Sequence, residues 1–167
     1  MNLKYILLLF STIPIFCYAQ EDPYESWNKN YKEIDVKEIL IFEDEYADSI
    51  ETHSTEHQQM YFRQDGYRFN ARYSGNWRKV SKERKEALAT CFKIFGFNSE
   101  VINILNKEVE IETNYGSIWM PIQDQLIEPL KDEAEKNSDV YFYTLFINYH
   151  DSEAYNNLFI ISEFTAN

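Results

Sequence analysis

Two clusters of residues in this chain have the types and spacing to do chemistry. His53-Ser54-Thr55-Glu56-His57 places two imidazoles four positions apart with a carboxylate between them. On a helix that spacing brings both rings to one face, and neutral imidazole nitrogens are good metal ligands. The second cluster is a basic island. Residues 63–85 hold eight bases (Arg63, Arg68, Arg72, Arg78, Lys79, Lys82, Arg84 and Lys85) against Asp65 and Glu83. If Arg68 and Arg72 share a strand face with Arg63 or Arg78 nearby, they form a fork-rich surface for carboxylates or phosphates. Tyr61, Tyr67, Tyr73 and Trp77 are interleaved with them, as in platforms that stack nucleic acids or glycans.

As H-x-x-E-H, the first cluster resembles the inverted zinc-binding signature of the insulinase-type metallopeptidases. The resemblance implies Zn²⁺ on His53 and His57, with Glu56 as general base for a bound water. It also implies a glutamate as third ligand roughly seventy or more residues downstream, about where Glu133 stands. The competing reading is two exposed histidines in a polar connection. For the basic island, the competing reading is an internal ion-pair surface covering the acidic segments on either side.

Charge distribution bears on that choice. The formal charge is −12, yet residues 21–62 carry net −9, residues 63–85 net +6 and residues 86–167 net −10. An acidic chain whose bases sit in one island argues against nucleic acid as partner and leaves an anionic ligand or an envelope protein. Paired carboxylates for glycoside hydrolysis carry little information among 28 acids, and four glycines leave little material for a phosphate loop.

Periodicity gives the helices and strands on which these residues lie. Met1–Gln20 reads as a secretory leader cleaved after Ala19, with Lys4, an apolar run and small residues before the cut. The run is too short to span a membrane, so none is expected after cleavage, and the address is the periplasm or the outside of a bacterial cell. Residues 20–33 read as an arm pinned by Trp27 and Tyr31, and 34–167 as one domain. Cys91 is then the only cysteine, expected as a small buried hydrophobe.

Residues 34–53 favour a helix over a strand at Ile39-Leu40-Ile41-Phe42, with Glu43-Asp44-Glu45 on its wet side. Tyr67–Tyr73 alternates as a strand. Gln64-Asp65-Gly66 supplies a turn before it, with Met60–Arg63 as hairpin partner, and Ser74-Gly75-Asn76 closes it. Ser81 and Gly96 cap a helix. Lys107–Thr113 and Ser117–Met120 form a hairpin over a three-residue loop, with Glu108, Glu110 and Glu112 on a solvated face. A helix kinked at Pro129, or restarting there as a second piece, follows, then a covered strand Val140–Tyr149 and its partner Leu158–Phe164.

The fold expected is α+β, a curved antiparallel sheet or partly open barrel with two or three packed helices. The order strand-strand-helix-strand-strand over 107–164 is similar to the latter part of an oligonucleotide/oligosaccharide-binding (OB) barrel. The alternative is a cone-shaped sheet wrapped round the 81–96 helix. The expected function is a non-catalytic exported binding module without a cofactor, its surface formed by Arg63, Arg68, Arg72, Tyr73, Trp77 and Arg78. The alternative is a small zinc hydrolase.

Overall fold

The computed structural model describes residues 24–53, 62–150 and 155–166; the expected leader lies outside them. The alternation from Tyr67 to Tyr73 does build a strand, but a longer one than local signals suggest. Strand β2 runs Phe62–Lys79, after the two-residue strand β1 (Lys32–Glu33). The expected hairpin at Gln64-Asp65-Gly66 does not form. Those residues pair inside β2 with Ile147, Phe146 and Leu145 of β5 (Asp139–His150). Gly66 answers a close approach instead, because a Cβ there would sit 2.8 Å from the Asn30 carbonyl oxygen. Ser74-Gly75-Asn76 does not end the strand either. Gly75, at φ 76°, sits in a bulge that shifts the register between Tyr73 and Trp77. Eleven registered positions against β5 outweigh local turn chemistry.

β3 (Lys107–Thr113) and β4 (Gly116–Ile122) form the expected hairpin with a shorter loop. Gly116 pairs with Thr113, so only Asn114 and Tyr115 lie in the turn. β6 (Tyr155–Ala166) runs antiparallel to β5. The sheet order is β1-β2-β3-β4-β6-β5, and β5 returns to pair with β2. The sheet is therefore partly ring-like. It is not a barrel, because β4 and β6 meet at a single parallel pair, Ile122 with Ile161.

Helices α1 (Glu25–Asn30), α2 (Val36–His53), α3 (Lys82–Phe95) and α4 (Asp124–Glu133) complete the described part as a mixed α+β fold. α3 has the expected caps: Ser81 Oγ accepts from Arg84 N, and Gly96 adopts φ 74°. Phe97 then packs on Phe92 with ring centroids 5.4 Å apart. α4 runs unbroken through Pro129, and it buries Leu126, Ile127 and Leu130.

Strand alternation separates two clusters. Phe69, Val109, Ile111, Met120, Phe142, Phe146, Phe159 and Ile161 join Val36 and Leu40 of α2 and the buried face of α4. On the other face, Ile147, Leu158 and Ile160 pack on Leu88, Cys91 and Phe92 of α3. The sheet is thus not wrapped round α3; that helix lies against its outer side. Burial leaves Cys91 1% exposed and pushes its thiol up to about 11. Among the described residues, no helix is long and apolar enough to cross a membrane.

Candidate functional site

The arginines of the basic island fall on different faces and find different partners. Arg63 lies on the same side of β2 as Tyr67. Its Nη1 bonds Glu43 Oε1, its Nη2 bonds the Tyr67 hydroxyl, and its Nε is 2.6 Å from Asp65 Oδ2. Burial alone would depress this guanidinium, but the bond to Asp65 and the charge of Glu43 push it up. Glu43, expected on the wet side of α2, is fully buried, and its Oε2 accepts from Asn148 Nδ2 at 2.9 Å. A charge so placed needs its partner, because an unpaired buried carboxylate costs several kcal/mol.

Arg68 and Arg72 point to the opposite face. Arg68 Nη1 bonds Asn28 Oδ1 and its Nη2 bonds Glu33 Oε2 at 3.2 Å, which ties the N-terminal arm to β2. Tyr24, Trp27 and Tyr31 ring Tyr143 of β5 with centroids 5.7 Å away, so the arm is pinned by its aromatics as the sequence suggests. Tyr73 is buried and its hydroxyl accepts from Trp77 Nε1 at 3.0 Å.

Arg78 sits over the Trp119 ring at 4.1 Å and donates Nε to Glu108 Oε2 at 2.6 Å. Arg84 Nη1 approaches Glu108 Oε1 to 2.9 Å while giving its hydrogen bond to the Trp119 carbonyl. The expected solvated row on β3 therefore fails at its first member. Glu108 is buried beneath two guanidiniums, Glu110 is half-buried and Glu112 is exposed. Of the bases that open α3, Arg84 thus finds its acidic partner, Glu108, inside the protein, while Lys82 pairs with Glu86 and Lys85 bonds Asn106.

Of the zinc signature, Glu56 and His57 lie outside the described residues, and His53 closes α2 as described. Glu133 is exposed at the end of α4.

Of the six expected binding residues, only Arg72 lines the cleft that opens on β2. This cleft has a volume of about 590 Å³. Its apolar floor is Ile34, Val36, Phe69 and Ala71; Glu33, Asp35, Glu112 and Asp139 supply four carboxylates around it. Arg72 stands in register with both Glu112 of β3 and Asp139 of β5. Its Nη1 is 4.0 Å from Glu112 Oε2, and both side chains are about half exposed. Asn114 Nδ2 donates to Asp35 Oδ1 at 2.8 Å, so the hairpin tip is tied to the start of α2. That bond is the main reason the Asp35 carboxyl lies below its ordinary value. Tyr115 OH donates to Asp44 Oδ2 at 2.7 Å and holds the same wall. Tyr141 closes the β5 side, its hydroxyl raised first by burial and also by Glu33.

Main-chain directions along β2 explain why the cleft is there. The Arg68 carbonyl accepts from Ile34 N at 3.1 Å, on the β1 side. The Tyr67 carbonyl accepts from Thr144 Oγ1 at 3.0 Å, and Tyr73 N and O bond Ser138 O and Asn137 N, all on the β5 side. From 67 to 73, odd-numbered residues therefore turn their N–H and C=O to β5, and even-numbered residues turn theirs the other way. β1 pairs only with Tyr67 and Arg68, and β3 begins at Arg72. Asn70 falls in the break. Its N–H and C=O open into the cleft with no strand opposite them among the described residues.

Comparison of the chain with protein-family models, with curated proteins and with solved structures returned no match.

Proposed function

We propose that this chain is an exported, non-catalytic binding module of the bacterial envelope or exterior, and that it holds its ligand in the cleft over Asn70. The export half of the reading rests on the leader-like first twenty residues. The observation that carries the binding half is the cleft: about 590 Å³, an apolar floor and convergent polar groups. An anionic ligand draws support there from Arg72 alone, since Arg63, Arg68 and Arg78 are engaged by Glu43, Glu33 and Glu108. Four carboxylates on the rim favour a positively charged ligand and stand against nucleic acid. An OB-like reading of the ring draws on the order β2-β3-β4-β6-β5, with α4 between β4 and β5.

The test is a screen of small fragments against ¹⁵N-labelled protein. Shifts clustered at Asn70, Ala71, Arg72, Thr113 and Asn114 are the expected result. Hits confined to other surfaces contradict the reading. The zinc-hydrolase alternative has one observation in its favour: α2 carries His53 on a helix, as the signature requires. Metal analysis of purified protein decides it; zinc below one equivalent, or zinc kept by the His53→Ala/His57→Ala variant, removes it.

A further inference from the structure

The cleft holds more information than its size and charge. It sits where a β-ladder is interrupted and then resumes. β2 keeps an unbroken register with β5 from Phe62 to Arg72, so its backbone is already extended and held from one side. On its other side Arg68 is paired by β1 and Arg72 by β3, leaving three residues, Phe69–Ala71, without a strand neighbour among the described residues. That gap is roughly 10 Å at the rise of an extended chain. It admits one residue of an incoming segment in ladder position, with its neighbours angled away.

Residue 70 presents a donor and an acceptor side by side, which is what another extended backbone supplies in return. The walls that keep the gap open are held independently of any ligand. The Asn114–Asp35 bond and the Tyr115–Asp44 bond tie the β3–β4 hairpin to α2, and the Arg68–Glu33 pair fixes β1.

The two sides of the gap differ in chemistry. Toward the core lie Ile34, Val36, Phe69 and Ala71. Toward solvent, Glu112 and Asp139 flank Arg72 in register, with Tyr141 opposite Asn70. Glu33 is neutralised by Arg68 at 3.2 Å, so Asp35, Glu112 and Asp139 face a single guanidinium, Arg72. Among the lining residues the outer side therefore carries an excess of two negative charges, reduced in part by Lys37 acting on Asp35.

We infer that the cleft takes an extended peptide segment of a partner protein, with one Lys or Arg residue opposite Asn70. This inference rests on the binding-module reading above. The main chain of that basic residue bonds Asn70 N–H and C=O. Its cationic side chain lies along the outer face within reach of Glu112 and Asp139, sharing their carboxylates with Arg72, and a flanking apolar side chain enters over Ile34 and Phe69.

The experiment uses the full chain, ¹⁵N-labelled, and three blocked tripeptides: acetyl-Val-Arg-Val-amide, acetyl-Val-Glu-Val-amide and acetyl-Val-norleucine-Val-amide. The arginine peptide is expected to shift the Asn70 amide and slow its hydrogen exchange at least about tenfold at saturation. The glutamate peptide is expected to leave both unchanged. A Glu112→Gln/Asp139→Asn variant, both positions exposed, is expected to weaken the arginine peptide about fivefold to tenfold without changing its effect on the Asn70 amide. Exposed Glu100→Gln, outside the cleft, serves as the charge control. Equal affinity for the arginine and glutamate peptides overturns the inference, as does binding that leaves Asn70 N–H unmoved. If no peptide binds while fragments still cluster at Asn70–Arg72, the peptide inference falls and the binding cleft stands. If neither peptides nor fragments reach these residues, both fall.

Discussion

β3 meets β2 through two glutamate–arginine pairs that read alike in sequence and differ in distance and in the burial of the carboxylate. Glu108 stands opposite Arg78, and Glu112 opposite Arg72, on the same face and four residues apart. The first pair is closed: 2.6 Å, its carboxylate 1% exposed, flanked by Arg84 and covered by Trp119. The second is open: 4.0 Å, with both partners about half exposed and Asp139 on the far side of the arginine. Strand pairing sets which residues face each other. What covers them decides whether the pair becomes part of the framework or stays available to a ligand.

The largest expected contrast is in stability. Glu108→Gln leaves Arg78 and Arg84, both partly solvated, without their shared carboxylate and is expected to cost about 2 kcal/mol. Glu112→Gln is expected to change stability by less than about 0.5 kcal/mol, as exposed pairs do. Urea unfolding of both variants checks this; equal losses would show that the two pairs are not distinct in kind. The Glu43–Arg63 pair belongs with the closed type, and Glu43→Gln is expected to cost about 2–3 kcal/mol for the same reason.

The difference between the pairs was not legible in the sequence, and the reason is particular. Glu108, Glu110 and Glu112 share one alternation pattern, and nothing local reveals that Arg78, stacked on Trp119, and Arg84 of α3 both close on the first of them. Asn70 is a second case. Alternation places it on the outward face, but the gap opposite its N–H and C=O among the described residues depends on where β1 stops and β3 starts, which are distant in the chain. The Gln64-Asp65-Gly66 turn does not form because these residues pair with distant β5, and Gly66 serves a close approach by Asn30 instead. What could be read locally held: the Ser81 and Gly96 caps of α3, the α2 helix over Val36–His53, the aromatic pinning of the arm, and the two-sided burial of β5.

Smaller effects sharpen the picture of the cleft wall. The folded Asp35 carboxyl lies below its ordinary value, chiefly through Asn114. The stability from this bond is present above the unfolded carboxylate value and is lost as pH falls through the depressed folded value. A pH titration of Asn114 side-chain amide resonances is expected to show a transition below the usual aspartate range, abolished in Asp35→Asn. A midpoint at the ordinary value would show that the bond does not persist in solution. At the other face, the raised Cys91 thiol has the opposite sign. Its contribution is complete below the unfolded thiol value and is lost as pH rises toward about 11. Thiol-modifying reagents at pH 8 are therefore expected to react with the folded protein far more slowly than with the urea-unfolded chain.

The claim on which the functional account turns is that the β2 ladder is interrupted at one residue. Amide hydrogen exchange in the free protein measures this directly by comparing Asn70 with Arg68 and Arg72, its neighbours on the same strand edge. Asn70 N–H is expected to exchange on the order of a hundredfold faster than the other two. Equal protection at all three positions would mean that the edge is paired throughout and that the cleft has no main-chain site to offer.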